Sequence, residues 1–138
     1  NHSPLIFEDG RQSRDFVHVR DVAAANLAAL SSSKGDGRAF NVGAGISRSI
    51  AEVAKSLAAV LGKKIEPKIL GEFRVGDIRH CIADSGEIRK AFGWSPQIPW
   101  EEGLQEYGNH IRRQKSRDRV SHAMAELSKR RLRRPVSL

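Results

Sequence analysis

Arg14-Asp15 and Arg74-Val75-Gly76-Asp77 are the stretches of this chain whose residue types and spacing suit a chemical task. Arginine carries a planar fork of donors that grips phosphate oxygens bidentately, and aspartate accepts hydrogens from hydroxyl groups. A ligand bearing both a diphosphate and sugar hydroxyls needs both kinds of group. Three segments supply them: Arg14-Asp15-Phe16-Val17-His18-Val19-Arg20-Asp21, Phe40-Asn41-Val42-Gly43 and Arg74-Val75-Gly76-Asp77-Ile78-Arg79-His80. They speak to what is bound more than to what reaction is carried out.

Each candidate also has a plainer reading. Arg14 either grips a diphosphate or pairs with Asp15 or Glu8 on a surface. Arg74 and Asp77 flank a tight turn in which Gly76 marks an unusual backbone angle or a close approach; the alternative is a surface ion pair, which is worth little. Asn41 ends an expected buried strand and therefore needs partners, either backbone groups or a ligand. His18 has the polar neighbours of a general base, but its place in an alternating strand favours a structural role. Cys81 reads as a small buried hydrophobe, and the adjacent His80 and Cys81 have no second pair at ligand spacing, which argues against zinc. Gly43-Ala44-Gly45-Ile46-Ser47-Arg48 sits between a strand and a helix, yet Arg48 replaces the third glycine of a dinucleotide-binding turn, so an ordinary strand-to-helix turn is expected. The chain contains no Tyr-x-x-x-Lys, no G-x-S-x-G and no P-loop, and so no catalytic residue is assigned.

The elements that must position these groups alternate between strand and helix, the pattern of an α/β fold. Leu5–Glu8 and Arg11–Val19 are expected as two strands of a hairpin turning at Asp9-Gly10. Asp21 opens an alanine-rich helix to about Leu30, and Ala39–Val42 is expected as a short buried strand. Ser49-Ile50-Ala51-Glu52 has the form of a capping box, starting a helix with Ile50, Val53, Leu57 and Leu61 on one stripe and Gly62 at its end. Ile65–Leu70 is expected as an edge strand because of Pro67. Ile82-Ala83 is extended, Ser85–Phe92 and Glu101–Ile111 are helical, and a proline-punctuated loop, Trp94–Trp100, lies between those helices. Val120, Ala123, Met124 and Leu127 fall at helical spacing near the end.

At 138 residues the chain has room for one domain with a real core. Its formal charge of +8 is unevenly placed, because the segment Asn1–Tyr107 is balanced and the whole excess lies in Gly108–Leu138. A core portion, residues 1–111, and a basic, helical or flexible tail, residues 112–138, are therefore expected. No aromatic side chain interleaves the tail's cations for base stacking, which argues against nucleic acid. No apolar run reaches the ~20 residues of a membrane span. A single cysteine cannot close an internal disulfide, which points to a reducing, cytoplasmic setting. Asn at position 1 and a lone methionine at Met124 suggest a piece of something longer.

Taken together, three motif stretches and one more, Phe92-Gly93-Trp94-Ser95-Pro96, resemble the extended short-chain dehydrogenase/reductases that act on nucleoside-diphosphate sugars. The likeness runs from about Pro4 to Tyr107, through Glu8-Asp9-Gly10, the Arg14 stretch, Phe40-Asn41-Val42-Gly43, and the Arg74 stretch with Ala83-Asp84 behind it. Within that family the stretches are most similar to 4-epimerases of UDP-glucose or dTDP-rhamnose. The resemblance implies the C-terminal, substrate-binding part of a Rossmann-type fold, with a small hairpin and short mixed strands and helices. It implies NAD, bound mainly by an N-terminal half that also carries the Tyr-x-x-x-Lys pair. It further implies a nucleoside-diphosphate sugar as ligand, oxidised and re-reduced at carbon 4, and a homodimer of the whole enzyme. Dehydration or reduction of such a sugar, or a non-catalytic binding module with a basic interaction tail, are the alternatives. By the likeness Arg14, Arg74 and Asp77 hold the nucleotide and diphosphate, with Asn41 near the same pocket. No turnover is expected from this stretch alone.

Overall fold

The computed structural model describes residues 2–115 and 117–135. Three small sheets carry the strands. β1 (Leu5–Ile6) runs parallel to β4 (Lys68–Ile69). β2 (Ser13–Asp15) is the centre of a three-stranded sheet, antiparallel to β3 (Ser47–Ser49) on one side and parallel to β6 (His80–Cys81) on the other. β5 (Glu72–Arg74) pairs antiparallel with β7 (Arg133–Pro135), a strand supplied by the basic tail.

The expected hairpin does not form. Asp9-Gly10 does turn the chain, with Gly10 at φ +79°, but β1 and β2 leave the turn into different sheets. The turn is packed for a different purpose: a side chain on Gly10 would meet Ile69 Cδ1 at 2.9 Å and Ala51 Cβ at 3.2 Å. Here the backbone slides past the start of α2 (Ile50–Val60), whose Ala51 and Ile50 amides donate to the carbonyls of Gly10 and Gln12. The strand expected to reach Val19 stops at Asp15. His18 instead caps α1 (Val19–Leu30), its Nδ1 accepting from the Arg20 amide at 3.2 Å. Ala39–Val42 forms no ladder among the described residues, although Phe40 and Val42 pack against the core. Cys81 is exposed rather than buried, because β6 is an edge strand.

The helices largely follow their local signals. Ser49 and Glu52 make the reciprocal capping box of α2, and Gly62 ends it at φ +66°. α3 (Gly86–Phe92) ends on left-handed Gly93. α4 (Trp100–Arg113) lies on α2, with Gly108 so close that a Cβ would come within 2.5 Å of Val60. α5 (Val120–Lys129) opens the return to β7. The main core is small: Ala25, Ile88 and Trp94, with Phe40, Val42 and Phe92 against them. Val19, Ala23, Leu27 and Leu30, at helical spacing on one face of α1, are exposed. Among the described residues no helix is long and apolar enough to cross a membrane.

Candidate functional site

The turn after β5 brings the predicted pair together. The Asp77 amide donates to the Arg74 carbonyl at 3.1 Å, and Gly76 between them sits at φ +84°. A Cβ there would meet nothing within 4 Å, so the backbone angle, not crowding, calls for glycine. The fold of this turn lays the Arg74 guanidinium on Asp77 Oδ2, at 2.6 Å from Nη2 and 3.1 Å from Nε. Arg14 arrives from β2, its Nη2 donating to Asp77 Oδ1 at 2.9 Å. Its Nη1 is held by the carbonyls of Ser13 and Arg79. Asp15 and Glu8, the partners considered for Arg14 on a bare surface, are engaged elsewhere.

Two guanidinium groups thus share one carboxylate and leave a net positive charge facing solvent. The hydrogen bond from Arg74 holds the Asp77 carboxyl below its ordinary value, and the charges of Arg74 and Arg14 add to the effect. Arg74 also lies over the Phe7 ring, 5.4 Å from its centroid. Its Nη1 makes no hydrogen bond among the described residues, so the outer edge of the fork remains available to an anion. The side chain is half exposed and that of Arg14 about a quarter exposed.

Behind this face, two aspartates tie the motifs to one another. The Asp15 carboxylate accepts from the amides of Ala44 at 2.9 Å, Gly45 at 2.8 Å and Ala83 at 3.2 Å. Gly43 is required there, since a Cβ would lie 2.4 Å from Asp15 Oδ2 and 2.5 Å from Ala83 Cβ. Ser85 Oγ completes the knot by bonding both the amide and the carbonyl of Gly43. Asp21, buried, accepts from the amides of Gln97 and Ile98, while the Trp94 indole donates to the Asp21 carbonyl at 3.1 Å. A groove of about 1030 Å³ runs between Phe16, Ile46, Leu57, Ile98, Trp100 and Tyr107. Arg48 stacks over Trp100 at its wall. Neither the groove nor the two tethering aspartates were expected to organise the molecule.

The model of the NAD dependent epimerase/dehydratase family matches residues 1–43. The dTDP-L-rhamnose 4-epimerase of Burkholderia thailandensis is 40% identical over 101 residues, covering 73% of this chain and 28% of that protein. The chain belongs to the NAD-dependent epimerase/dehydratase family. The UDP-glucose 4-epimerase of Mycolicibacterium smegmatis is 37% identical over 72% of this chain and 31% of its own length. The crystal structure of the UDP-glucose 4-epimerase of Thermotoga maritima with UDP-glucose superposes with a TM-score of 0.73 at 36% identity, over 80% of this chain and 35% of that one. The chain therefore spans about a third of the length of these epimerases, and its fold is that of the extended short-chain dehydrogenases.

As a member of an NAD-dependent family, the chain invites a test of its glycine turn, and the turn does not fit a pyrophosphate. A dinucleotide site needs free amides at that point. Here the amides of Gly43, Ala44 and Gly45 are committed to Ser85 and Asp15. Asn41 is exposed and ends no strand, and among the described residues no hydrogen bond links it to Arg14, Arg74 or Asp77. The burial that would have forced partners on it is absent. His18 is mostly buried against Gly103, with Glu106 at 3.5 Å, so in this chain it is a helix cap packed on α4. Among the described residues no cluster of three or more His, Cys, Asp or Glu could hold a metal ion.

Proposed function

We propose that this chain is the substrate-binding, C-terminal part of a nucleoside-diphosphate-sugar 4-epimerase. Arg14 and Arg74 grip the diphosphate, Asp77 holds both guanidinium groups in place, and Asn41 is a weaker candidate near the same pocket. The observation that carries this reading is the convergence of Arg14 and Arg74, 60 positions apart in sequence, on the two oxygens of one carboxylate. Anchoring the nucleotide while leaving the sugar free to turn is a positioning role. Epimerisation at carbon 4 is preferred over dehydration because the Burkholderia and Mycolicibacterium relatives are both 4-epimerases.

NAD and the groups that move protons belong, on this reading, to the rest of the polypeptide, and the chain alone does not turn over. Its surface supports a missing partner. The exposed area is 10094 Å², against roughly 7100 Å² for a compact protein of this mass. The apolar face of α1 and the groove around Trp100 are the surfaces that this partner covers.

The test is nucleotide-sugar affinity in the whole enzyme. Arg14→Ala and Arg74→Ala each remove a charged contact worth about 1.5–3 kcal/mol, a loss of roughly tenfold or more. Titration of UDP- and dTDP-sugars into both variants measures it, and unchanged affinity in both refutes the assignment.

A further inference from the structure

The basic tail follows the stretch whose motifs carry the family resemblance, and its residues Arg133–Pro135 pair as a strand with the element that carries Arg74. β7 is the only ladder partner of β5 among the described residues. Its register sets Arg133 directly opposite Arg74, so the two side chains share a face. Like charges so placed repel, and each is drawn away from the other by its own carboxylate. Arg133 binds Glu72 through both Nε and Nη2, and Arg74 binds Asp77. The hydrogen bond from Arg133 lowers the Glu72 pKa, and the same contact raises that of Arg133.

The contact continues into the turn itself. The Val75 amide, next to Gly76, donates to the Leu132 carbonyl at 2.9 Å. The tail's approach is specified by the end of α5. Leu132 N–H returns to Leu127 O and Arg131 N–H to Ser128 O, the paired bonds of a Schellman stop, with Arg131 at φ +56°. A non-glycine residue in that conformation is strained, and the pairing of β7 with β5 holds the reversal against that strain. Arg133 Nη1 also reaches Ser128 Oγ at 3.4 Å, tying strand to helix.

We propose that β7 is a clamp on the phosphate-gripping turn, with Arg133 a positioning residue that keeps Arg74 turned onto Asp77. The proposal rests on the reading of Arg14 and Arg74 as the diphosphate grip. It goes beyond that reading by making affinity depend on β7, a strand that contributes neither Arg14, Arg74 nor Asp77.

UDP titrated calorimetrically into the full chain, and into the whole enzyme, tests it. Arg133→Ala and Glu72→Gln should each weaken UDP by about fivefold, the scale of a partly exposed ion pair. The double variant should be no weaker than either single one, and Arg133→Lys should recover to within about twofold of the parent. In the whole enzyme KM for the nucleotide sugar should rise with kcat unchanged. Parent-like UDP affinity in Arg133→Ala and Glu72→Gln, while Arg74→Ala loses it, overturns the clamp and leaves the grip standing. Retained affinity in Arg74→Ala also overturns the clamp, since Arg74 is the group it would position, and retained affinity in Arg14→Ala as well overturns the grip itself. Additive losses in the double variant, or failure of Arg133→Lys to recover, would mean that Arg133 acts independently of Glu72, which also overturns the clamp. Should Arg133→Ala not fold, Glu72→Gln alone decides, because it leaves every cation in place.

Discussion

Asp15 is the residue on which the site's scaffold most depends, and Asp15→Ala is the sharpest perturbation of it. Its carboxylate accepts the amides of Ala44, Gly45 and Ala83, from two segments that β2 must hold together. Hydrogen bonds to an ionised acceptor contribute about 1.5–3 kcal/mol each, and a buried donor left without a partner costs about 1–3 kcal/mol. The three bonds are not independent, and Gly45 is exposed and can turn to water. Counting only the part-buried Ala44 and Ala83 amides, the expected loss is about 3 kcal/mol. Asp15→Asn keeps the shape, since Gly43 leaves no room for anything larger. It must, however, set an amide NH₂ against at least one backbone N–H, and should lose about half as much. Urea unfolding followed by circular dichroism measures both, read as a shift in midpoint at constant slope. An Asp15→Ala midpoint indistinguishable from the parent would refute the argument. It would mean that the Gly43–Gly45 and Ala83 segments are held by packing alone.

Acid should cost the turn after β1 its ion pair. The hydrogen bond from Arg79 holds Asp9 at about 2, below its ordinary 3.8, and folding therefore favours the ionised form. Its contribution is complete above the unfolded value and fades as pH falls from about 4 towards 2; Arg79→Ala should move the start of the acid transition, followed by circular dichroism, to higher pH, and an unmoved transition contradicts this. Asp77→Asn should weaken UDP even though it adds a net positive charge at the site. Ordering two arginines, each with about 2 kcal/mol of rotamer freedom, outweighs a charge gain that solvent screens; calorimetric titration showing tighter binding would reverse that ranking.

What was legible in the sequence was local. The Ser49–Glu52 capping box and the glycine stops at Gly62 and Gly93 lie within one helical turn of what they control, and each was found where expected. The Arg74–Asp77 turn was legible for the same reason. Asp9-Gly10 shows the limit: the dipeptide fixes a turn, but not whether the strands after it pair with each other. Here β2 takes partners from residues 47–49 and 80–81 instead. Asp15 and Asp21 were invisible as anchors because their donors are backbone amides, which carry no residue identity. The only available signal was Gly43, a residue small enough to sit against a carboxylate. β7 could not be read from an arginine-rich segment with little strand preference, since its pairing depends on a partner some 60 residues away.

The placement of β7 also changes what the net charge means. Counted along the sequence, the excess of +8 sits in an appendage. In space, part of it stands beside the arginine pair, because neighbouring strands are only about 4.8 Å apart. That is within the ~8–10 Å over which charges act in physiological salt, so the cations of β7 contribute to the potential that a diphosphate meets on approach. Not all of the tail's cations are free to do so: Arg133 is neutralised by Glu72, and Arg130, at the end of α5, lies 3.4 Å from Glu126. Arg134, opposite Phe73, points to the other face of the ladder from Arg74. The tail therefore acts on the site through geometry first and through charge second. For that reason the loss of one ion pair with every cation retained, as in Glu72→Gln, is the more informative perturbation: charge alone would then tighten UDP, whereas lost geometry weakens it.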